Sequence, residues 1–510
     1  MSKKEKKCCR PIVLASVAIV IGLIFVCLGF ACIPLFTELY KNAVKKKLVM
    51  KEGGETYNDW VKPPVPVYMQ YYLFNYTNVE DVLNGSKPQV RQLGPYSYRE
   101  VRYNYVLEKN SDEITYMQNY SYIFDSSTSC STCTENDVIH SPNIAAWTML
   151  HLIGSIHVTN RSSTAKQFAV QMFNTVLTMQ KVTPFHNLTV KKLLWGYEDK
   201  FLAFLQAHKD ELEQVMKPLG LKPPPINPFV ALQHNGSKEA SYIGNLTLKT
   251  GNEDIDNLQR IFKWRGLSYS PYWNNDTYGE MINGTDGSHF KPFIDKSDKI
   301  LYIFISDICR SLFLTYEEDQ EIEDIKLRRY VLSADVFADK KTNPDNAPFC
   351  VKKCWESGLL PVGQCLEGGP PAFMSQPHFY QADHTLRDAI VGLKPNKTLH
   401  QAFVDVDPVT GLTLRFHKRL QLNILVEIIP FITMTSNLRN NHTFLPVMYL
   451  DEKSKIDQPN IDKYKHDVVN PRDIMRYVCY GFWSLGGAMM IGGFIAYGYL
   501  KSKGHKYSKL

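Results

Sequence analysis

Two long apolar runs, one near each end of the chain, constrain its fold more than any other feature of the sequence. No charged residue occurs from residue 11 to 36 or from residue 477 to 500. A helix of about 20 apolar residues spans a bilayer, whereas the apolar core of a cleaved signal peptide has only about 7–15 residues. We therefore predict two membrane-spanning helices rather than a signal peptide and a buried soluble helix.

These two helices place both ends of the chain on one side of the membrane. The prediction comprises a cytosolic N-terminal tail (residues 1–10), a first transmembrane helix (11–36), a body outside the cytosol (37–476), a second transmembrane helix (477–500) and a cytosolic C-terminal tail (501–510). Each tail carries a net charge of +4 and the whole chain +7, so the body is close to neutral. We expect no nucleic-acid partner, because binding nucleic acid requires a basic surface on the body.

Acceptor sequences for N-glycosylation identify the side of the membrane on which the body lies. The pattern Asn-x-Ser/Thr, with x other than proline, occurs only between the two apolar runs. The acceptor residues are Asn75, Asn84, Asn119, Asn160, Asn187, Asn235, Asn245, Asn275, Asn283, Asn396 and Asn441. Their number exceeds what chance gives at this composition, so we predict a glycosylated body in a lumen or outside the cell.

Cysteine usage agrees with an oxidising compartment. The body contains six cysteines, which allow up to three disulfides in fifteen alternative pairings: Cys130, Cys133, Cys309, Cys350, Cys354 and Cys365. The first two have the spacing of a redox motif or of half a zinc site, but no second such pair occurs, so we favour a local disulfide. In the N-terminal tail, Cys8 and Cys9 are predicted S-palmitoylation sites, the alternative being two free thiols.

The body has the pattern of a large antiparallel β structure with a helical insertion. Aromatic and β-branched residues predict strands at residues 67–76, 299–308 and 420–434. Between residues 142 and 210 the pattern becomes helical. The apolar residues of the central helical segment fall on one face: Phe168, Met172, Phe173, Val176 and Leu177. We therefore predict the α+β class.

Motifs for catalysis and metal binding are absent from the sequence. It contains no GxSxG, HExxH, P-loop or GxGxxG motif, and its histidines lack the spacing of metal ligands. One acidic cluster consists of Glu317, Glu318, Asp319, Glu321, Glu323 and Asp324. It lacks the alternating spacing and the glycine of a calcium-binding loop, so we interpret it as a solvated face. We predict a protein that is not an enzyme and that uses no metal or other cofactor.

Several motifs of the body resemble the class B scavenger receptor family. They are residues 93–100 (LGPYSYRE), 193–197 (LLWGY), 281–286 (MINGTD) and 307–311 (DICRS). Two further motifs, residues 377–383 (PHFYQAD) and 446–450 (PVMYL), are most similar to the lysosomal members. The resemblance implies an antiparallel β-barrel-like body with an apical helix bundle and an internal apolar tunnel. It also implies that Cys309 pairs with Cys365 and Cys350 with Cys354, whereas the pair Cys130/Cys133 has no counterpart that we can place.

The resemblance implies binding rather than catalysis. An apolar tunnel can remove fatty acids, sterols or cholesteryl esters from water, each buried CH₂ contributing about 0.8 kcal/mol. Cations at the apex would attract anionic lipid or lipoprotein, and Lys181 and Lys166 are the predicted contacts. The alternative for each lysine is an ordinary solvated side chain. We therefore expect a receptor for lipid or lipoprotein ligands that acts in endocytic or lysosomal uptake or transfer.

A second function implied by the resemblance is lysosomal sorting. The lysosomal members carry an acid hydrolase on the helix bundle and release it in acid. His151 and His157 are the predicted pH switch, because the pKa of a histidine, about 6.5, lies between neutral and lysosomal pH. The residues around His151 are apolar, however, so a packed core histidine is the interpretation that we favour for it.

The C-terminal tail predicts a destination. Tyr507 and Leu510 form a Tyr-x-x-apolar pattern of the kind that clathrin adaptors bind in an extended tail. The terminal Ser-Lys-Leu also fits peroxisomal import, but a glycosylated, membrane-anchored chain enters the endoplasmic reticulum first, so we reject that interpretation. We predict lysosomal, endosomal and plasma membranes as the location.

A stripe of small residues marks one side of the second apolar run. It consists of Ser484, Ala488, Gly492 and Ala496. Small residues at this spacing allow two helices to approach closely. The stripe predicts contact either with the first transmembrane helix, which we favour, or with a second copy of the chain in a homo-oligomer.

Overall fold

The chain packs as two units, Met1–Leu48 with Asp457–Leu510, and Val49–Ile456. The structure is a computed structural model, and it describes residues 3–158, 163–217, 226–235, 243–274, 278–351 and 353–507. We call the first unit the terminal-helix unit and the second the body.

The terminal-helix unit contains two helices that are long and apolar enough to cross a membrane. Its elements are α1 (Lys3–Leu48), α11 (Gln458–Tyr464), a π-helical segment (Lys465–Val469) and α12 (Asn470–Tyr507). Each helix extends beyond its uncharged run on the side toward the body in sequence, to Leu48 in α1 and back to Asn470 in α12. The two helices have the length and composition that the sequence predicts for membrane spans.

Glycines bring α1 and α12 into close contact. A Cβ atom added to Gly486 of α12 would lie 2.7 Å from the carbonyl oxygen of Gly22 in α1. One added to Gly29 would lie 2.2 Å from the Trp483 ring, so this side chain packs directly on the backbone of α1. On α12 the buried glycines Gly486 and Gly493 are seven residues apart, which is two helical turns.

The small-residue stripe of α12 does not face α1. All four of its members are exposed, and a Cβ on Gly492 would have no atom within 4 Å. The favoured interpretation of this stripe as the contact with the first helix is therefore wrong. The close contact with α1 is made by Gly486 and Gly493 on the other side of α12. The four-residue spacing of the stripe did not point to these two glycines. Contact of the stripe with a second copy stays a prediction.

The body is built around one antiparallel sheet of thirteen strands. The seventeen strands of the body are β1 (Val67–Tyr76), β2 (Val90–Lys109), β3 (Glu113–Phe124), β4 (Val138–Pro142), β5 (Phe185–Thr189), β6 (Tyr197–Glu198), β7 (Phe229–Val230), β8 (Asn245–Lys249), β9 (Ile261–Trp264), β10 (Ile300–Ile305), β11 (Arg310–Ile322), β12 (Ile325–Leu332), β13 (Leu360–Pro361), β14 (Ala372–Ser375), β15 (Phe403–Val406), β16 (Thr413–Glu427) and β17 (His442–Lys455). The order in the large sheet is β10-β11-β12-β15-β16-β17-β1-β2-β3-β8-β9, with β14 on β16 and β13 on β14. The strands β4 and β5 form a separate two-stranded antiparallel sheet, as do β6 and β7.

A short segment between β9 and β10 links the two ends of this sheet. The Ile261 N–H donates to the Gly284 carbonyl, 2.8 Å, and the Phe304 N–H donates to the Thr285 carbonyl, 2.8 Å. Gly284 has φ +97°, and a Cβ there would lie 2.2 Å from the Tyr302 carbonyl oxygen, so only glycine fits. The turn motif at residues 281–286 therefore has a structural reason: it nearly closes the sheet into a barrel.

Helices of the body lie in the connections between strands. They are α2 (Glu55–Val61), α3 (Val79–Leu83), α4 (Ile144–Val158), α5 (Ser163–Met179), α6 (Val190–Trp195), α7 (Lys200–Ala207), α8 (Lys209–Met216), α9 (His384–Asp388) and α10 (Lys397–His400). Single 3₁₀ turns occur at Ile255–Asn257, Ser306–Ile308, Ala334–Phe337, Pro344–Phe349, Gly363–Cys365, Pro377–Phe379 and Thr433–Thr435. The α+β class and the antiparallel, barrel-like body with a helical region are confirmed. The internal tunnel stays a prediction.

The predicted strands differ from the observed ones mainly at their ends. The strand predicted at residues 67–76 is β1, and it lies between β17 and β2 with most of its side chains buried. The strand predicted at 420–434 is β16, which begins at Thr413 and ends at Glu427. Pro430 follows three residues later and has no N–H to donate to a neighbouring strand, so the ladder cannot continue.

The interior of the sheet holds a buried network of charges. Arg102 Nε donates to Glu100 Oε1 at 2.8 Å and its Nη2 to Glu452 Oε1 at 3.2 Å, while Lys418 Nζ lies 3.1 Å from Glu452 Oε2. Burial raises the pKa of Glu100. Burial also disfavours the charged form of Glu452, but Lys418 and Arg102 outweigh it and lower the pKa of that carboxyl. Arg102 and Lys418 thus compensate the carboxylates of Glu100 and Glu452 inside the body.

Candidate functional site: the helix cluster and its crevice

Five helices between residues 144 and 216, α4 to α8, form what we call the helix cluster. Asn143 begins α4 by accepting a hydrogen bond from the Ala146 N–H through its side-chain oxygen, 3.1 Å. Trp147 is buried, and its indole N–H donates to the Pro184 carbonyl at 3.0 Å. The indole thereby ties α4 to the residue that precedes β5. The apolar residues buried on α4 are Ala145, Ala146, Trp147, Met149, Leu150 and Ile153.

The buried face of α5 differs from the predicted one. Val170, Phe173 and Leu177 are buried, at a spacing of three and four residues. Phe168, which the pattern assigned to the same face, is 66% exposed. The prediction for Phe168 is wrong, because the residue lies at the margin of the apolar arc rather than along its centre.

A polar clamp joins α5 to the connection between β16 and β17. Asn174 Nδ2 donates to Thr433 Oγ1 at 3.1 Å, and the Thr433 N–H donates to Asn174 Oδ1 at 2.9 Å. Close by, Gly154 of α4 faces the Ile429 side chain, from which an added Cβ would be 3.4 Å away. The helix cluster is therefore joined to the large sheet through this connection as well as through its own chain ends. Nothing in the local sequence predicted this clamp.

A small apolar crevice, with a cavity volume of about 20 Å³, opens beside the helix cluster. Its lining comprises Val82, Ser86, Pro88, Trp147, Phe185, Val426, Leu438, Arg439, Asn440, Thr443 and Leu445. The aromatic and aliphatic members are mostly buried, whereas Arg439 and Asn440 are exposed at the rim. The crevice thus has mainly apolar walls and one cationic residue at its rim.

Two predicted glycosylation sites border this crevice. Ser86 and Thr443 in its lining are the hydroxyl residues of the sequons at Asn84 and Asn441, and both asparagines are exposed. A glycan on either one would stand at the mouth of the crevice. The crevice was not predictable from the sequence, because its walls come from four segments that are far apart in the chain.

His151 lies beside a carboxylate rather than in an apolar core. Its Nδ1 is 3.6 Å from Glu427 Oε2 at the end of β16, and the two side chains are 31% and 37% exposed. The favoured interpretation of His151 as a packed core histidine is therefore wrong. Its apolar neighbours on α4 are buried inside the helix cluster, whereas His151 lies on the partly exposed side of α4. Its role as a pH switch stays a prediction.

The predicted apical cations that the structure describes are exposed. Lys181 follows α5 with φ +52°, and it lies at the solvent-facing end of that helix. Lys191 and Lys192 on α6 are exposed as well. Other predicted site residues have side chains outside the described part of the structure: Lys166, His157, Tyr507, Leu510, Cys8, Cys9, Asn160 and Asn275.

His378 and His400 form a buried stacked pair. No pattern in the sequence predicted this pair, although His378 belongs to the 377–383 motif. The rings of His378 and His400 are 4.4 Å apart, centroid to centroid. The rings of Phe74 and Tyr449 pack edge-on against them. His378 Nε2 lies 2.6 Å from Gln92 Oε1, which accepts a hydrogen bond from it. The pair is therefore enclosed by aromatic rings and by one amide.

Both of these imidazoles are neutral at cellular pH. His378 Nδ1 accepts from the Lys394 N–H at 3.0 Å, and His400 Nδ1 accepts from the Asn396 N–H at 2.9 Å. Burial, together with the charge of the neighbouring His400, lowers the pKa of His378 to about 3. Burial, together with Arg419, lowers the pKa of His400 to about 4. The backbone donors require unprotonated Nδ1 atoms, in agreement with these low pKa values.

Four of the six cysteines of the body form disulfides. The two disulfides are Cys130–Cys133 and Cys350–Cys354. Cys309 and Cys365 are free thiols that lie within side-chain hydrogen-bonding distance of each other. Burial and the Cys365 thiol raise the pKa of Cys309 well above its usual range. The pairing of Cys309 with Cys365 stays a prediction, which this proximity permits.

The acidic cluster lies in the hairpin of β11 and β12, where basic residues face it across the strands. The cross-strand pairs are Glu318 with Arg329, Asp319 with Arg328 and Glu321 with Lys326. Glu317 also forms an ion pair with Lys397, 2.7 Å. Within the described residues, no group of three or more metal-ligating side chains occurs. The cluster is thus part of a mixed-charge surface.

The sequons that the structure describes differ in accessibility. The exposed asparagines are Asn84, Asn187, Asn235, Asn396 and Asn441. The half-buried ones are Asn75, Asn119, Asn245 and Asn283. Glycosylation at each of these positions stays a prediction.

Comparison with known proteins identifies the family. Residues 20–497 match the profile of the CD36 family. Lysosome membrane protein 2 of Rattus norvegicus is 34% identical over 458 residues, which is 89% of this chain and 88% of the relative. The protein of the same name from Homo sapiens has the same identity and coverage. Scavenger receptor class B member 1 of Mus musculus is 31% identical over 472 residues, 92% of this chain and 87% of the relative.

The family match covers most of both terminal helices and the whole body, and each of these relatives aligns over more than four fifths of its length. These similarities agree with the architecture described above, in which two helices suited to a membrane flank a barrel-like antiparallel body. The chain is a two-span, scavenger receptor-like membrane protein and belongs to the CD36 family.

Proposed function

We propose that this protein captures lipid or lipoprotein ligands through its helix cluster and takes up their lipid at an apolar site in the body. The observation that carries the proposal is the family match over residues 20–497, with a relative named as a class B scavenger receptor. The apolar walls of the crevice beside the helix cluster support it, because widening of the crevice would let an acyl or sterol group bury its apolar surface there. The role is binding and transfer rather than catalysis.

Its location follows from the same relatives. One is named for the lysosome membrane and another for scavenging, so we propose that this protein moves between the plasma membrane and endolysosomal membranes. Both tails would be cytosolic, with Tyr507 and Leu510 available to clathrin adaptors. The six cysteines of the body would then lie in an oxidising compartment, where we expect Cys309 and Cys365 to be bonded.

Filling the crevice provides the test. Leu438 lies in its lining at the rim, and the substitution Leu438→Trp adds a bulky ring there. In cells that present the full chain at their surface, we expect uptake of a fluorescent cholesteryl ester or fatty acid to fall at least about fivefold, the factor that corresponds to 1 kcal/mol. Binding of the lipoprotein particle should change little, because the exposed lysines of the helix cluster remain.

The matched control is Leu399→Trp, at an exposed position on α10. Both variants are compared at equal surface amounts, measured with an antibody on unpermeabilised cells. Equal uptake by Leu438→Trp and by the unmodified protein would contradict a role of the crevice in lipid transfer.

A second candidate function is sorting of a luminal protein cargo with release in acid, and the position of His151 favours it. Protonation would add an attraction between His151 and Glu427 at the 3.6 Å separation, and so strengthen one link between α4 and β16 in acid. The stronger link between α4 and β16 would alter the surface of the helix cluster on which a cargo is bound at neutral pH. The relatives named for the lysosome membrane are consistent with such a role.

Substitution of this histidine tests the sorting function. We expect luminal proteins that co-purify with the full chain at pH 7.4 to dissociate at about pH 5, and His151→Gln to abolish most of this pH dependence. Glu427→Gln should have the same effect, because it removes the partner of the charged ring. The control is His384→Gln, whose side chain is 74% exposed. Equal pH dependence in His151→Gln and in the control would count against His151 as the switch.

A further inference from the structure

The outer face of the β2–β3 hairpin is apolar and exposed. Along β2, Val101, Tyr103, Tyr105 and Leu107 alternate with inward-facing residues, and each is at least 40% exposed. The Tyr103 and Tyr105 rings contact each other, with centroids 4.5 Å apart. A run of four large apolar residues is unusual on a strand face that contacts water, and it indicates that another group covers this face.

The register of this hairpin is set by its inner face. Arg102 belongs to the buried charge network, and Asn104 Nδ2 donates to the Trp60 carbonyl at 2.7 Å. A shift of one residue would place these polar groups outside and the tyrosines inside. The exposed tyrosines are therefore a fixed feature of the folded body, and what covers them must come from the solvent side.

A glycosylation sequon lies directly across the hairpin from the tyrosines. Asn119 pairs with Tyr103, and the hydroxyl residue of its sequon, Ser121, pairs with Val101. Side chains that are directly opposite have Cβ atoms about 4.5–5.5 Å apart, and the diagonal neighbour Tyr105 is about 7–8 Å away. A second sequon asparagine, Asn245, faces Met117 from the next strand of the same face.

The Asn119 side chain is half-buried on this face, and one of its polar atoms lacks a hydrogen-bond partner. Its carboxamide oxygen has no hydrogen-bond partner among the residues that the structure describes. In contrast, the sequon residue Asn75 accepts a hydrogen bond from the His140 N–H, 2.8 Å. Asn119 therefore lies opposite Tyr103 on the apolar face, and its carboxamide oxygen makes no hydrogen bond with the described residues that modification of the nitrogen would disturb.

We propose that Asn119 carries an N-linked glycan whose first N-acetylglucosamine residues lie over Tyr103 and Tyr105 and cover the outer face of the hairpin. A pyranose ring presents C–H groups on one face, and an exposed tyrosine ring offers a flat apolar surface of matching size. Because the sugar is covalently attached, it is present at an effective concentration of at least about millimolar and needs little affinity to occupy the site. This inference is independent of the ligand of the receptor.

Native-state deglycosylation of the full chain, purified in detergent from glycosylating cells, tests the proposal. Peptide N-glycosidase is added without denaturant, and glycopeptide mass spectrometry follows release at each asparagine. We expect the Asn119 glycan to be released at least about tenfold more slowly than the glycan at Asn441, since a packing energy of about 1.4 kcal/mol corresponds to that factor. The latter site is exposed at the start of β17.

Two double variants separate packing from folding. Tyr103→Ser with Tyr105→Ser removes both rings and should bring release at Asn119 to the rate at Asn441. Tyr103→Phe with Tyr105→Phe keeps both rings and should preserve the slow release. Surface arrival and the release rate at Asn441 report on whether each variant is folded.

Three outcomes overturn the proposal. The first is an unmodified Asn119 in the mature chain, and the second is release at Asn119 as fast as at Asn441. The third is slow release that the Ser variant leaves unchanged, although it folds. A dimer in which Asn119 is bare would mean that a second copy of the chain covers this face instead of the glycan.

Discussion

Replacing Arg102 with methionine is expected to destabilise the body by about 3–5 kcal/mol at neutral pH. Arg102 is the shared partner of Glu100 and Glu452 inside the sheet, and its side chain is only 14% exposed. Methionine fills a similar volume but leaves Glu100 as a buried carboxylate without a cation at hydrogen-bonding distance. The loss is measured as a lower midpoint of thermal unfolding of the full chain in detergent and as less protein at the cell surface.

The pH dependence of this variant distinguishes lost charge compensation from lost packing. Without Arg102 the folded-state pKa of Glu100 rises further above its unfolded value, so the folded state binds protons more readily than the unfolded state. Stability of the variant then falls as pH rises through that raised pKa. The deficit relative to the unmodified protein should be smaller at about pH 5 than at pH 7.4, and adding Glu100→Gln should restore part of the loss.

The control for Arg102→Met is Arg387→Met on α9. Arg387 pairs with Asp388 at 3.0 Å, but both side chains are about half exposed. Exposed pairs contribute little, so we expect a change of less than about 0.5 kcal/mol. A similar, pH-independent loss in both variants would contradict the view that the buried network is held together by Arg102.

Features that depend on local periodicity and composition were predictable from the sequence. The two membrane helices follow from uncharged apolar runs, and β1 follows from a run of aromatic and β-branched residues bounded by prolines. The local Cys130–Cys133 disulfide requires only a short separation. The barrel-like arrangement came from the family resemblance, because pattern alone does not set the order of strands in a sheet.

Features that depend on contacts between distant segments were not predictable. Arg102 and Glu452 are 350 residues apart in the chain, and Asn174 and Thr433 are 259 apart. For the same reason the sequence suggested an apolar environment for His151, whose decisive neighbour, Glu427, is on another element. Periodicity gives the residues that share a face, but it does not say which segment covers that face. The crevice was not predictable for the same reason, because four distant segments form its walls.

Acidification from pH 7.4 to about pH 5 is expected to destabilise the body, with His378 and His400 as main contributors. Their pKa values in the folded protein, about 3 and about 4, lie below the unfolded value of about 6.5. Between these values the unfolded chain binds protons and the folded chain does not. The stability contributed by the neutral rings is therefore complete above about pH 6.5 and is lost as pH falls toward the folded pKa values.

The expected size of this effect is about 1–2 kcal/mol for each ring at about pH 5, reduced from the ideal value by partial solvent screening. His186 and His289 add to it, since burial lowers the pKa of His186 to about 4 and also lowers the pKa of His289. A protein of acidic compartments that keeps such groups neutral must compensate with other interactions. The two disulfides are one such source of stability.

The substitution His378→Asn with His400→Asn tests this assignment. Asparagine retains an acceptor near the position of Nδ1 for the Lys394 and Asn396 N–H groups, and it tolerates the positive φ of +54° at position 378. We expect the double variant to be less stable than the unmodified protein at pH 7.4, because the stacked rings are lost. Its unfolding midpoint should nevertheless fall less between pH 7.4 and 5. The exposed His384→Asn should leave the pH dependence unchanged, and an equal dependence in all three proteins would exclude the histidine pair as its origin.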